Sequence, residues 1–188
     1  MLSSIYLRPT KINLHKSQLL LSSFALFVLL FVSTISDAKA RTVDEGMLRA
    51  AIIIGIMRYT TWQQAPEKNI NVCLVGKSKS TRYLLALEST LKVHEKSIFV
   101  FEYDQQIKNK NGCQVLLLGA KKERPLSSLK PAKSTLVICD ECSINKKKSA
   151  VLIRKSSDKI IFDVNTRIAK KYKIKFSSPM LELASKVN

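Results

Sequence analysis

Hydrophobic residues fall along the chain in two patterns, short continuous runs and positions spaced at helical intervals. Short apolar runs rich in β-branched and aromatic residues are typical of buried strands. Six segments have this character, and the last two are joined by the hairpin-sized turn Ser156-Ser157-Asp158. The predicted strands are 70–75, 97–103, 114–119, 134–139, 150–154 and 159–164.

The helical pattern predicts five helices before, between and after these strands. The first begins at a capping box, Thr42 and Glu45, and runs to about Trp62. Asn165 caps a later helix, and the Ser178-Pro179 pair starts the last, because a hydroxyl cap followed by proline suits a helix N-terminus. The others cover 81–91 and 126–130. Strands and helices alternate before the hairpin, which favours an α/β layered domain with a mostly parallel sheet.

The N-terminal segment has the three parts of a secretory signal peptide. Arg8, Lys11 and Lys16 precede a 14-residue apolar run, LLLSSFALFVLLFV, and a polar stretch ends in Ala38-Lys39-Ala40. A helix that spans the bilayer needs about 20 apolar residues, so a permanent anchor is the weaker interpretation. We therefore predict that the signal peptide, residues 1–40, is cleaved after Ala40 and that residues 41–188 form one domain that does not span the membrane.

The chain is strongly basic, with a formal charge of +18, and about +15 remains once the four basic residues and one acid of the signal peptide are removed. Such a charge favours an acidic partner, an anionic surface or a polyanion. The lysines are scattered rather than massed in one tail, which favours compositional drift toward lysine over a functional charge. An exported chain without a recognition motif is not expected to bind nucleic acid.

Four cysteines, Cys73, Cys113, Cys139 and Cys142, lie in the predicted mature chain. An even number in an oxidising compartment indicates disulfides, with three connectivities open. The Cys139-Asp-Glu-Cys142 motif also allows a redox site or half of a zinc site. Two carboxylates between the sulfurs disfavour the low thiol pKa of a redox enzyme, and nothing supplies the second half of a zinc site.

Other catalytic signals are weak. His94 is the one histidine of the predicted mature chain and stands in a polar stretch, and the chain has no GxSxG, HExxH or P-loop motif. Gly76 follows a strand and precedes a helix, but the dinucleotide fingerprint needs three glycines there. We therefore predict a protein without catalytic residues, cofactor or metal.

An ordered set of segments resembles the YfiR family of periplasmic proteins. The C-terminal part, KIIFDVN followed by AKK, IKFSS and LxLA, carries most of the resemblance. RYxxW at 58–62, NVCLVG at 71–76 and GCQVLLL at 112–118 add to it in the family's order. Together these segments extend over roughly residues 46–187.

The resemblance implies a Rossmann-like layered domain without a nucleotide site, here with about five to six strands, an antiparallel hairpin at one edge and helices on both faces. It implies a periplasmic repressor that binds the periplasmic domain of a membrane-bound diguanylate cyclase and so limits cyclic di-GMP and biofilm formation. Cys73 and Cys113 match a family cysteine pair, and disulfides in the family are linked to stability and redox response. Cys139 and Cys142 are spaced more closely than the family's second pair, and Asn145-Lys-Lys-Lys-Ser149 replaces a glycine-rich turn.

Partner-binding residues are expected on the face that exposes Asp163, Asn165 and Ile168, where a strand ends and a helix begins. A homodimer is left open. Two hypotheses of other classes remain: a periplasmic thiol-disulfide oxidoreductase that uses Cys139 and Cys142, and a polyanion- or envelope-binding protein that uses the positive charge.

Overall fold

The computed structural model describes residues 44–188 except 89 and 104–111. The predicted signal peptide and Thr42 lie outside the described residues. Five α-helices and a short 3-10 helix at Lys146–Lys148 occur in the described part. The α-helices are α1 (Glu45–Arg58), α2 (Thr81–Ala86), α3 (Leu126–Leu129), α4 (Thr166–Lys171) and α5 (Ser178–Leu183).

The same described residues contain ten strands, eight of them in one sheet and two in a separate antiparallel pair formed by β1 and β9. The eight-stranded sheet has the order β10-β8-β7-β6-β5-β2-β4-β3. The strands are β1 (Thr60–Trp62), β2 (Asn69–Val75), β3 (Lys92–Val93), β4 (Lys96–Glu102), β5 (Val115–Gly119), β6 (Leu136–Asp140), β7 (Val151–Ser156), β8 (Lys159–Val164), β9 (Ile174–Phe176) and β10 (Lys186–Val187).

A mixed α/β fold with a mostly parallel sheet is confirmed, but the strand number was wrong. All six predicted strands occur, as β2, β4, β5, β6, β7 and β8, and the two-residue strands β3 and β10 raise the sheet to eight. The β7–β8 hairpin is antiparallel, yet it does not form the edge, because β10 pairs in parallel outside β8. The more specific Rossmann-like arrangement stays a prediction.

The first helix differs from its prediction at both ends. Its cap is Asp44, whose carboxylate accepts hydrogen bonds from the amides of Gly46 and Met47. Glu45 instead turns toward the side chains of Arg49 and Lys79. The helix ends at Arg58, because the next residues pair as β1 with β9 and Trp62 lies in a strand.

The last helix also begins differently, with Ser177 at the cap position and Ser178 inside the helix. Its Pro179 lies in the first turn, as expected of a proline without a free N–H. The second helix ends at Ala86, before the predicted end at residue 91. The helix predicted over 126–130 and the one capped by Asn165 lie where expected.

Two hydrophobic clusters cover the two faces of the sheet, because side chains alternate along each strand. Helices α1, α2, α4 and α5 pack on one face, against residues such as Val72 and Leu74. The short helix α3 packs on the other face through Leu126 and Leu129, against residues such as Val75. Helices therefore cover both faces, with most of the helical mass on the first.

Candidate functional site

The strand order reverses direction at β2, which makes the end of this strand the first place to look for a ligand. After β2 the chain forms β4 on one side, and then β5, β6 and β7 follow on the other. In open α/β sheets, small ligands bind outside the carboxyl ends of the strands at such a reversal. The corresponding crevice lies beyond Val75 and Gly119.

The chain's own backbone fills this crevice. The amide of Lys77 donates to the Lys121 carbonyl oxygen over 2.9 Å, and the Lys121 amide donates back over 3.1 Å. Gly76 has a φ of +73°, and a Cβ there would collide with the Lys121 carbonyl. A Cβ on Gly119 would come within 2.5 Å of the Lys77 carbonyl carbon. The glycine that superficially resembled a nucleotide-binding turn therefore serves close packing between two loops.

A buried ionic network lies beside the closed crevice and is centred on Arg49 of α1. The Arg49 and Asp140 side chains are both fully buried, with 2.7 Å between Nη1 and Oδ1. The Arg49 guanidinium also binds Glu141 at 2.8 Å and Glu45 at 2.9 Å. Ser80 donates its hydroxyl proton to the second oxygen of Asp140. The network thus ties α1 to the end of β6 and to the start of α2.

Electrostatics favour the charged forms of Arg49 and Glu45. Burial by itself would lower the pKa of Arg49, but the hydrogen bond and the negative charge of Asp140 outweigh it and raise that pKa. A hydrogen bond from Lys79 lowers the pKa of Glu45 against the opposing effect of burial, and Arg49 adds to the lowering. Burying an ion pair costs desolvation free energy, and removing one partner costs more, because the other charge stays buried and unpaired. The stability of the fold therefore depends on the network staying intact.

Sequence reasoning missed this network, although it left a signal. Arg49 is a single charge within the apolar run of the first helix, and Asp140 directly follows the apolar strand that ends in Cys139. A charge placed where burial is expected needs a partner of opposite charge. The two partners are 91 positions apart, and no periodic pattern joins them.

The Cys139-Asp-Glu-Cys142 motif forms a local disulfide that encloses two of the three acids of the network, Asp140 and Glu141. Cys139 lies in β6, and both cysteines are fully buried. Glu141 between them has a left-handed backbone, with a φ of 62°. The tight turn directs Asp140 and Glu141 toward Arg49, so the disulfide and the ionic network are parts of one arrangement.

Burial of both sulfurs argues against a thiol-disulfide enzyme, since the attacking thiolate of such an enzyme must be accessible. The motif follows a strand, and the next helical element is the 3-10 helix Lys146–Lys148 rather than an α-helix that could lower a thiol pKa. The bonded sulfurs are also unsuited to zinc. Within the described ranges, no group of three or more potential ligand side chains could hold a metal ion.

The second disulfide joins Cys73 in β2 to Cys113, which lies just before the neighbouring strand β5. The two Cα atoms are 5.8 Å apart, within the usual range for a disulfide. This is the pairing that the family resemblance implied. Both disulfides lie on the face of the sheet that α3 covers.

The segment that replaces the glycine-rich turn is anchored by Glu123. Its carboxylate accepts hydrogen bonds from the amides of Ser143, Ile144 and Asn145. The buried Asn145 side chain in turn accepts from the Leu126 amide over 2.9 Å. The loop after Cys142 is thereby fastened to the start of α3 without any glycine.

We predict that Glu123→Gln destabilises the protein by about 2 kcal/mol at neutral pH, because hydrogen bonds to a charged group are each worth about 1.5–3 kcal/mol. Burial would raise the pKa of Glu123, but the amides of Ile144, Ser143 and Asn145 hold it below its ordinary value of 4.5. A lowered pKa adds stability above the unfolded-state pKa, and this stability is lost as the pH falls through the folded-state pKa.

The difference between wild type and Glu123→Gln should therefore shrink below about pH 4.5. Urea unfolding at several pH values measures it, with the exposed Glu182→Gln as control. A difference that stays constant down to the acid limit would show that the carboxylate charge is not what anchors the loop.

The three residues expected to bind a partner lie close together but are already engaged. Asp163 in β8 accepts two hydrogen bonds from Arg154, at 2.9 and 3.2 Å. The Asn165 side chain caps α4 by accepting from the Ile168 amide. Ile168 is half-buried and packs against the core. Ile168 also borders an open cleft between α3 and α4.

His94 has a local structural role. Its Nε2 lies 3.1 Å from the Thr60 carbonyl oxygen, and its ring meets the Trp62 ring edge to face at 6.2 Å. These contacts link the β3–β4 turn to β1.

Comparison with known proteins agrees with the extent of the described fold. A protein-family model described as YfiR/HmsC-like matches residues 47–185. A comparison with curated proteins finds no match. None of the helices in the described part of the chain is long and apolar enough to cross a membrane.

Proposed function

The chain belongs to the YfiR/HmsC-like family, and from this premise we propose that it is a periplasmic regulatory protein that represses an inner-membrane diguanylate cyclase. It binds the periplasmic domain of the cyclase and thereby limits cyclic di-GMP signalling and biofilm formation. The family match across residues 47–185 is the observation that carries the proposal.

The geometry of the crevice supports binding rather than catalysis. The place where an α/β sheet would receive a small ligand is occupied by the Lys77–Lys121 backbone pair. The fully buried Arg49 side chain already pairs with three carboxylates. Both features leave the outer surface as the part of the domain available for function.

The compartment is inferred from the signal-peptide pattern and the disulfides. Removal of residues 1–40 would release a domain that begins at Arg41. Both disulfides are formed in the structure, and structural disulfides persist in oxidising compartments such as the periplasm. A periplasmic protein cannot reach cytoplasmic GTP, so its effect on the nucleotide has to cross the membrane through a partner.

The mechanism is a shift of population in that partner. A repressor acts when it binds the inactive state of the cyclase more tightly than the active state, and this difference in affinity sets the shift. A full switch from 1:99 to 99:1 requires about 5.5 kcal/mol of differential affinity. A difference of this size calls for a specific interface.

Deletion of the gene should raise cellular cyclic di-GMP, and the gene returned on a plasmid should lower it again.

Cys142→Ser should remain inactive in an insulin-reduction assay, as should the wild-type protein, because the sulfurs are buried. If deletion leaves cyclic di-GMP unchanged while the wild type exchanges disulfides and Cys142→Ser does not, the redox hypothesis replaces the repressor.

A further inference from the structure

An open cleft of about 550 Å³ lies between α3 and α4, on the surface outside the closed crevice. Its floor is apolar, formed mainly by Leu126, Ile168 and Tyr172. Its rim carries the lysines of what we call the lysine cleft: Lys130, Lys133, Lys148 and Lys171. The volume is in the range of cavities that bind small molecules or inserted side chains.

The positive charge of the lysine cleft is uncompensated. All four rim lysines are exposed, and no carboxylate of the described residues lines the cleft. Across residues 44–188 without the undescribed positions, none of the four forms an ion pair. Elsewhere on the surface, Lys79, Arg82 and Arg154 each have an acidic partner. Like charges concentrated around a concave surface raise the local concentration of anionic groups.

The walls of the cleft are held in place before any ligand arrives. Asn145 fastens the 3-10 helix that carries Lys148 to the first residue of α3. The side-chain Nδ2 of Asn145 also donates to the Arg124 carbonyl oxygen over 2.8 Å. Asn165 caps the opposite wall, α4, from which Ile168 and Lys171 project. A preformed site loses little conformational entropy on binding.

We propose that the lysine cleft binds an acidic segment of a partner protein, with one apolar side chain of that segment inserted against Tyr172 and Ile168. The inference rests on the proposed function, because the partner would be the regulated membrane protein. The positive rim predicts that the bound segment is acidic, and the apolar floor predicts that the inserted side chain is apolar. Interfaces of this kind place an apolar anchor in a pocket within a polar rim.

A concave site with an apolar floor suits a protruding side chain better than the flat surface of a bilayer. Burial raises the pKa of Tyr172, which agrees with a partly desolvated floor. An anionic membrane would instead use the rim lysines alone, so the floor distinguishes the two occupants.

The binding test uses a short blocked peptide with several glutamates around one phenylalanine, and the full chain exported and purified from the periplasm. Lys148→Gln combined with Lys171→Gln should weaken binding roughly fivefold or more, given up to about 1 kcal/mol for each exposed charge pair. The control is Lys155→Gln with Lys159→Gln, which removes two exposed charges from the β7–β8 hairpin. It should change affinity less than twofold, as expected for charges outside the site.

Replacement of the phenylalanine in the peptide by alanine should also weaken binding, and NMR shifts should concentrate at Ile168 and Tyr172. If both double variants lost the same affinity, the effect would come from diffuse charge and the proposal would be overturned. Equal affinity for the alanine and phenylalanine peptides would also overturn it. Binding of phosphatidylglycerol vesicles through the same lysines, without binding of the peptide, would assign the cleft to a lipid surface.

A cellular measurement separates this inference from the proposed function. In the deletion strain, Lys148→Gln with Lys171→Gln should fail to restore low cyclic di-GMP, whereas the hairpin control should restore it. Full restoration of low cyclic di-GMP by the cleft variant would overturn the proposed binding site but leave the repressor proposal intact. If deletion leaves cyclic di-GMP unchanged, the repressor proposal fails. The peptide measurement alone then tests whether the lysine cleft binds an acidic segment.

Discussion

Replacement of Arg49 by methionine is expected to lower the free energy of unfolding by about 3–5 kcal/mol, the usual cost of breaking a buried ion pair by removing one partner. Methionine keeps the apolar stem and the helix propensity of the site. It leaves the fully buried Asp140 without its cation and removes the cation that binds Glu141 and Glu45. Urea unfolding with linear extrapolation measures the change.

Arg58→Met is the matched control, because Arg58 is an exposed residue in the last turn of the same helix. It should cost less than about 1 kcal/mol, the size of a favourable charge at a helix C-terminus. Asp140→Asn added to Arg49→Met should recover part of the loss, since it removes the stranded charge. A loss below about 1 kcal/mol without this recovery would contradict the role given to the network.

Removal of the Cys73–Cys113 disulfide, by changing both residues to alanine, is expected to lower the free energy of unfolding by about 4 kcal/mol. The bond joins residues 40 positions apart, and the loss of this loop constraint mainly enlarges the unfolded ensemble. A more expanded unfolded state exposes more surface, so the urea m-value should rise as well.

The Cys139–Cys142 disulfide closes a loop over a separation of 3, so alanine at both of these positions should cost less, about 2 kcal/mol from loop entropy. The same unfolding measurement compares the two double variants. A larger loss from the short loop would mean that native contacts of the Asp140–Glu141 turn outweigh chain entropy. An unchanged m-value in Cys73→Ala with Cys113→Ala would contradict an effect through the unfolded state.

The long elements of the fold were predictable, because each carries its signal in its own residues. The six predicted strands are apolar runs bounded by turn residues, and five helical segments lie near their expected positions. The short strands β1, β3, β9 and β10 were not predictable, since two or three residues cannot show an alternating pattern. Trp62 shows this. The local sequence predicts that the first helix extends to Trp62, but in the structure Trp62 pairs with Ile174 and belongs to β1.

The sequence indicated which kinds of chemistry the candidate site disfavours, but it did not indicate how the residues of the site are arranged in space. The isolated glycine and the acid-flanked CxxC motif disfavour a nucleotide site and a redox enzyme. The reason why the crevice is closed, the pairing of Lys77 with Lys121, depends on two loops meeting in space. The ionic network around Arg49 and the assembly of the lysine cleft depend on tertiary placement in the same way.

The expectation that Asp163, Asn165 and Ile168 bind a partner stays a prediction. Asp163 and Asn165 resemble exposed polar candidates in sequence, yet each hydrogen-bonds within the domain. The cleft beside Ile168 draws lysines from three separate segments, the end of α3 and the loop after it, the 3-10 helix and α4. Lysine runs scattered along a sequence give no sign of which members will share a surface.

The central claim is that this protein represses a membrane cyclase from the periplasmic side, and cellular cyclic di-GMP in the deletion strain tests it most directly. The strain would produce either the full chain or a chain that lacks residues 2–40, in a host whose cytoplasm allows disulfides to form. At equal amounts of folded protein, the full chain should restore low cyclic di-GMP and the unexported chain should leave it high. Restoration by the unexported chain, or by neither, would contradict the account.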